Sequence, residues 1–479
     1  MKVINIVIVF IYVFFFISPY VIHASTGQEK QLNQYVKHFL KTHHIPGASL
    51  ALVQNEKVIY TFTSGITGEN EREVTMDTPF LIGSISKSFT GLAIMTLVQE
   101  GKLKLHDPVQ KHLSWFTPRH DGQSQLKVEH LLAHKSGIST YDGLKLADQE
   151  DHTTHAIQKK AKKLANIQLT SPPGASYQYS DANYMLLGAI IENLSNQSYA
   201  EYMKERIFEP LHMYSAGADQ LSVYKNAYQS GYQSWFGYSF KSRVSYDNSG
   251  APYGYIAASA NDFIHYLTFL QNPSNDILST EHMNTFLSPL TQTRQDRHYG
   301  LGWMLTDWGE NTEMIWHAGS TPDSRSEIFY YPSSRLGGVI LTNKNHILEE
   351  ATLTQFRDGI LSIINGEKTK NVTKPFPYIQ LSITLIACLL VTLLLYLIVR
   401  KLRSPIIQKT KWRRRGLLLI GASIGIIPIF IYSIHTPWHT IVAFAPDLAH
   451  LTGIVVILLA INGFVSLYLS FKSYAKGKC

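Results

Sequence analysis

Three kinds of hydrophobic pattern divide the chain. Over "QEKQLNQYVKHFLKTH" the apolar positions Leu32, Tyr35, Val36 and Leu40 recur at helical spacing, while "ASLALV" and "KVIYTF" flank Gln54-Asn55-Glu56 as the arms of a hairpin. From Ser84 to Glu100, "SISKSFTGLAIMTLVQE" is apolar nearly all round and stops at Gly101, which predicts a buried helix. Towards the other end, "EMIWHAG", "SEIFYYP" and "GGVILTN" read as three strands separated by turn residues, followed by a helix over Leu348 to Ile364. The simplest assembly is one α/β unit, about Gln28 to Ile364. Both ends of the unit build a single antiparallel sheet, with the terminal helices on one face and the mostly helical middle on the other.

The remaining apolar runs are longer and nearly unbroken. Residues 378–399, 416–434 (with Pro428 inside) and 451–469 are each long enough to cross a bilayer. The connection over 400–415, "RKLRSPIIQKTKWRRR", is strongly basic without an acid and is expected to be cytoplasmic. Residues 435–450 then form an external loop and 470–479 a cytoplasmic tail. The unit over 25–364 lies outside, tied to the first span by the polar linker 365–377. At the other terminus, Lys2, the run Val3 to Ile22 and His23-Ala24-Ser25 have the layout of a signal peptide covering 1–24. Two separate signals thus predict the same topology.

Composition changes this picture in two respects. The net charge is +8, yet eleven basic residues against the single acid Asp447 follow Phe376, so the outer unit is close to neutral. Nothing in it suggests a nucleic-acid partner, and the basic connection is explained by topology and anionic lipid headgroups. The two cysteines, Cys388 and Cys479, both lie in the C-terminal region. The outer unit therefore has no disulfide, thiolate nucleophile or cysteine ligand. No spacing of His, Asp and Glu makes a metal site, and no glycine-rich phosphate loop is present.

Candidate chemistry starts at "LIGSISKSFTGL". On a helix beginning at Ser84, Lys87 is three residues on and shares its face, whereas Ser86 and Ser88 point elsewhere. A buried lysine has its pKa pushed down until its amine accepts a proton, making Ser84 and Lys87 a nucleophile beside its base. The alternative is that Ser84 only caps the helix while Lys87 reaches for water.

Five blocks in order, "PFLIGSISKSFTGLAI", "VEHLLAHKSGI", "PPGASYQYSDANYMLLGAIIE", "YGLGW" and "WHAGSTPDSRSEIFYYP", resemble the serine β-lactamase and penicillin-binding-protein superfamily. The likeness is to its branch of class C β-lactamases, D,D-carboxypeptidases, D-aminopeptidases and esterases, over about Gln28 to Ile364. The resemblance implies a β-lactamase-like fold, Ser84 as the acylated nucleophile and Lys87 as its base. It implies Tyr179 as a proton-relaying phenol that runs partly as phenolate. His317 takes the place of the third motif, Gly319 lets substrate lie against that strand, and the backbone N–H groups of Ser84 and Ser320 form an oxyanion hole. His134 and Ser136 are expected to support the site from behind. No cofactor is required.

Two positions depart from the family pattern. The second motif reads Tyr179-Ser180-Asp181, with a carboxylate where an amide is usual; Asp181 either faces the cleft, favouring a substrate ammonium, or caps the following helix. His317 is less reliably charged than the usual lysine, which weakens recognition of a substrate carboxylate. The aromatic stretch Tyr228 to Tyr255 either lines the cleft or packs beneath it. Together these features predict a membrane-tethered serine hydrolase acting on small D-amino-acid peptides, amides or esters. Two other readings remain open. One is an N-acyl-D-amino-acyl prodrug peptidase of nonribosomal-peptide export, suggested by the three spans, and the other is a non-hydrolytic sensor or scaffold.

Overall fold

The computed structural model describes residues 26–472 apart from 121, 123, 274, 311 and 404–407. The proposed signal peptide and the end of the tail lie outside the described residues. A central antiparallel sheet of eight strands takes the hairpin Gly47–Gln54 and Lys57–Gly65 from the start of the chain. It takes Pro289–Arg294, Arg297–Gly300, Met304–Thr306, Met314–Thr321, Ser324–Tyr331 and Leu336–Thr342 from the end of the unit. The two sets join where Gly47–Gln54 pairs with Leu336–Thr342, Ala51 opposite Val339.

Alternation along the central strands sends side chains into two cores. Leu50 and Leu52 join Ile340 and Phe329 under the terminal helices Thr26–Thr42 and Ala351–Ile364, which contribute Leu32, Val36, Phe39, Phe356 and Ile360. Phe39 stacks on Phe356 at 4.1 Å between ring centres. Ala51, Val53, Val339 and Leu341 face the other way, into a larger core shared with the helical middle. At the centre of that core runs Ser86–Gln99, in which every residue from Ser86 to Leu97 is buried. The layered assembly expected from the apolar pattern is observed, with three further strands, Pro289–Arg294, Arg297–Gly300 and Met304–Thr306, that the pattern does not mark.

The C-terminal region holds three helices long and apolar enough to cross a membrane, Tyr378–Arg403, Lys409–Ile434 and Pro446–Lys472. All three exceed the apolar runs. Lys409 to Arg415 is the first part of the second helix, so the basic stretch is only partly a loop; charged side chains at a helix end reach out of the apolar zone without breaking the backbone ladder. Between the second and third helices a short helix, Trp438–Phe444, lies against the α/β unit, and Asp447 opens the third helix instead of sitting in a loop.

Candidate active site

The nucleophile helix has an irregular entry. Gly83–Ile85 is a 3₁₀ turn that feeds directly into Ser86–Gln99, so Ser84 stands one short turn ahead of the α-helix. Ser84 makes no capping bond: the residue before the turn is Ile82 and no side chain caps it. From Pro79 to Leu97 all residues are buried except Ser84, which is partly open. Gly83 has φ +53°, and a Cβ there would lie 2.1 Å from the backbone nitrogen of Ser320. Glycine is thus needed both for its backbone angle and for the closeness of the neighbouring strand.

Lys87 is fully buried and donates from Nζ to Ser84 Oγ at 3.0 Å and to the Tyr253 carbonyl at 2.8 Å. Its third partner is Asp181, with Oδ1 at 2.7 Å in an ion pair. The rings of Tyr179, Tyr184 and Tyr253 surround the same nitrogen at 4.8, 5.7 and 5.8 Å from their centres. Burial pushes the amine below the usual lysine range, and Asp181 pulls it part of the way back. Ser86 and Ser88 are ordinary buried hydroxyls: Ser86 Oγ accepts from the Ile256 N–H at 3.2 Å and Ser88 Oγ donates to the Ile85 carbonyl at 2.9 Å.

Tyr179 and Asp181 bracket the start of the helix Asp181–Ser195. The residue preceding that helix is Ser180, not Asp181, and its hydroxyl donates to the Ser139 carbonyl at 2.9 Å. Of the two roles weighed for Asp181, capping is therefore absent, and the carboxylate instead holds Lys87. The Tyr179 hydroxyl hydrogen-bonds with Ser84, while desolvation and the nearby Asp181 carboxylate push the phenol well above its ordinary value. Both causes act against the phenolate form expected of this residue.

His134 lies behind Tyr179, its ring centre 4.2 Å away, as expected of a supporting residue. Its Nδ1 accepts from Asn183 Nδ2 at 2.9 Å and from the Ser180 N–H at 3.2 Å, and burial keeps the ring neutral. Ser136 accepts from the Ile138 N–H at 3.0 Å and serves the turn.

Opposite Ser84 runs Met314–Thr321. His317 is buried, donates from Nδ1 to the Ala318 carbonyl at 2.7 Å, and receives the Tyr299 hydroxyl at Nε2, 3.4 Å away. Burial and the charge of Lys87 push its pKa down to about 3, so it contributes no positive charge at neutral pH. A Cβ on Gly319 would stand 1.8 Å from the Ile82 carbonyl and 2.3 Å from Ser326 Oγ, which is why this strand can lie flush against the nucleophile turn. The same closeness brings the Ser320 N–H beside the Gly83-Ser84 backbone. Ser320 Oγ donates to Glu350 Oε1 at 2.5 Å and accepts from Asn345 Nδ2 at 2.7 Å.

Ser84, Lys87, Tyr179, Asp181, His317, Gly319 and Ser320 thus lie together around the 83–87 turn. Sequence reasoning missed Tyr253, whose contribution is a backbone carbonyl, and Asn345 and Glu350, which brace Ser320. The aromatic stretch proves divided. Its end, through Tyr253 and Tyr255, packs beneath Lys87, whereas Tyr238 and Phe240 are exposed on a separate hairpin. Among the described residues no group of three or more His, Cys, Asp or Glu is placed to hold a metal ion.

Comparison with known proteins adds an independent line. The family model described as Beta-lactamase matches residues 32–359. Protein flp of Staphylococcus aureus (strain COL) is 29% identical over 327 residues, 67% of this chain and 64% of that protein. Unguisins hydrolase ungD' of Aspergillus campestris (strain IBT 28561) is 27% identical over 337 residues, 66% of this chain and 61% of that protein. The matches therefore span just under two thirds of these curated relatives. The octameric penicillin-binding protein homologue from Pyrococcus abyssi superposes with a TM-score of 0.58 at 27% identity, covering 75% of this chain and 81% of that one.

Proposed function

The chain belongs to the β-lactamase family, and on that premise we propose that it is a membrane-anchored, extracytoplasmic serine hydrolase that forms an acyl-enzyme on Ser84. The observation that carries the reading is the buried Lys87 amine 3.0 Å from a hydroxyl that alone in its segment is partly exposed. In acylation the Ser84 oxygen attacks the substrate carbonyl and its proton passes to Lys87. Asp181, already paired with that nitrogen, stabilises the ammonium so formed. The negative charge on the carbonyl oxygen falls to the N–H groups of Ser84 and Ser320. Tyr179, held as a phenol, gives its proton to the departing amine or alkoxide and is resupplied from Lys87. Water then takes the acyl group, with proton transfers in reverse.

The substrate class is proposed from charge. His317 is neutral, so this strand lacks the cation that would hold a terminal carboxylate. Asp181, a carboxylate where the family usually has an amide, adds no cation either and is paired with Lys87. This arrangement favours small D-amino-acid esters, amides or peptides, a free amine included, over a β-lactam or a carboxypeptidase substrate.

The test follows intact mass and product release with D- and L-aminoacyl esters, N-acyl-D-aminoacyl amides and a β-lactam, with Ser84→Ala in parallel. Turnover of D-substrates that vanishes in the variant is the expected result. An adduct that persists without turnover, or no labelling of Ser84, would replace the hydrolase with a sensor or scaffold.

A further inference from the structure

The connection between the second and third long helices, together with the first turn of the third, makes contacts on both sides, or walls, of the Ser84 region. On one wall Asp447, completely buried, gathers four donors from four places in the fold. Oδ1 accepts from His346 Nε2 at 2.8 Å and from the Leu448 N–H at 2.7 Å. Oδ2 accepts from the Phe236 N–H at 3.0 Å and from Gln380 Nε2, on the first long helix, at 3.2 Å. His346 accepts the Leu348 N–H at Nδ1, 3.1 Å, so the proton it offers Asp447 is on Nε2.

The neighbouring residue extends this contact to the site. Lys344–Asn345 pairs with Tyr232–Trp235, and Asn345 Nδ2 donates to Ser320 Oγ at 2.7 Å and to the Thr321 carbonyl at 2.6 Å. Three successive links therefore run from Asp447 to the strand residue whose N–H faces Ser84. Gln233 Nε2, on the same hairpin, donates to the Ala443 carbonyl at 2.7 Å, which fixes the short helix Trp438–Phe444 alongside.

On the other wall His439 Nε2 donates to the Leu144 carbonyl at 3.1 Å. Leu144 belongs to the helix Thr140–Leu146, which holds the second motif: Thr140 Oγ1 donates to the Tyr179 carbonyl at 2.6 Å. A Cβ on Gly143 would lie 2.7 Å from Ser180 Oγ, so the helix and the motif have no slack between them.

We infer that His346, Asp447 and His439 are positioning residues for the hydrolysis: the outer connection of the membrane region clamps the oxyanion strand to the tyrosine loop. The inference rests on the proposed hydrolase reading for its consequence in rate, but the mechanical link stands on the contacts themselves. A tether alone would need no buried carboxylate accepting from four groups, because a single span suffices to anchor a domain. A clamp needs contacts on both walls, and these are present. Displacing either wall by about 1 Å is enough to lower a rate about a hundredfold.

The experiment uses the full chain in detergent or nanodiscs, with His346→Ala, His346→Gln, Asp447→Asn and the milder His439→Ala. Amide hydrogen exchange is followed together with kcat and KM for a p-nitrophenyl ester against a Ser84→Ala blank. In His346→Ala and Asp447→Asn, exchange at Ser320, Thr321 and Asn345 is expected to rise at least tenfold, with Phe89 to Leu97 unchanged. Over the same variants kcat falls at least tenfold while KM moves less than twofold. His346→Gln, whose amide still offers Asp447 a proton, restores both, and His439→Ala raises exchange at Tyr179 to Asp181. Wild-type exchange at Ser320 and Tyr179 in all four variants would overturn the inference, as would faster exchange confined to 435–450. Failure of Ser84-dependent turnover in the parent protein would instead strike the hydrolase reading, leaving exchange to decide the clamp.

Discussion

Gly319→Ala offers a direct measure of how much of the chemistry depends on the fit between strand and turn. The added Cβ would stand 1.8 Å from the Ile82 carbonyl oxygen, and both are main-chain positions with no side chain to swing aside. Restoring ordinary contact requires the strand and the 82–84 turn to part by more than about 1 Å. In the proposed mechanism the oxyanion pocket takes one N–H from each side of that seam. Loss of one such donor costs about 100- to 1,000-fold in kcat, or about 3–4 kcal/mol of transition-state stabilisation, with substrate binding little affected. Overpacking costs a further 1–3 kcal/mol or so of stability. The assay is steady-state turnover of an activated ester, paired with thermal melting. Gly337→Ala is the control, since it crowds the same sheet but its nearest contact, at 2.7 Å, is the end of the Leu267 side chain. It should melt somewhat lower and turn over within twofold of the parent. A folded Gly319→Ala protein within threefold of wild-type kcat would refute the argument that the seam forms the oxyanion pocket.

Two more outcomes follow from charge. Asp181→Asn removes the group that pulls the Lys87 pKa back up, so burial pushes the amine still lower and the rising limb of the acylation pH profile moves to lower pH; a limb that stays put would deny the pair its role. For His317 the folded pKa, about 3, lies below the unfolded 6.5, so the unfolded chain binds the extra proton between them and stability falls as pH drops through that window. The loss approaches about 1.4 kcal/mol per pH unit, and His317→Asn should remove that increment from urea or thermal unfolding compared between pH 4 and 6.5.

Much of the fold was legible because its signals are local. Period-two runs at both ends announce the sheet, and an all-round apolar segment closed by Gly101 announces a buried helix with Ser84 and Lys87 on one face. What escaped is long-range. Whether Asp181 caps a helix or meets a charge depends on where Lys87 lies in space, and no pattern near residue 181 records that. Tyr253 acts through a carbonyl, which every residue possesses and none advertises. Asn345 looks like the end of a strand until its amide is seen beneath Ser320. Asp447 was visible as the one acid among many bases, but only packing reveals that it serves the α/β unit. The surroundings of the Tyr179 phenol escaped for a related reason: a phenol's ionisation is set by the balance of burial and neighbouring charges.

The pairing of Gly47–Gln54 with Leu336–Thr342 has a consequence for the order in which the molecule comes into being. The amino-terminal hairpin is made early, yet its permanent neighbour is among the last strands of the unit to be synthesised. Until then the hairpin's apolar edge has no partner, and contacts of such wide sequence separation form slowly. Ser84 and Lys87 are likewise present long before the strand that must lie against them. A nascent chain therefore carries Ser84 and Lys87 before the strand they are packed against, and the proposed site is assembled only when the last strands close the sheet.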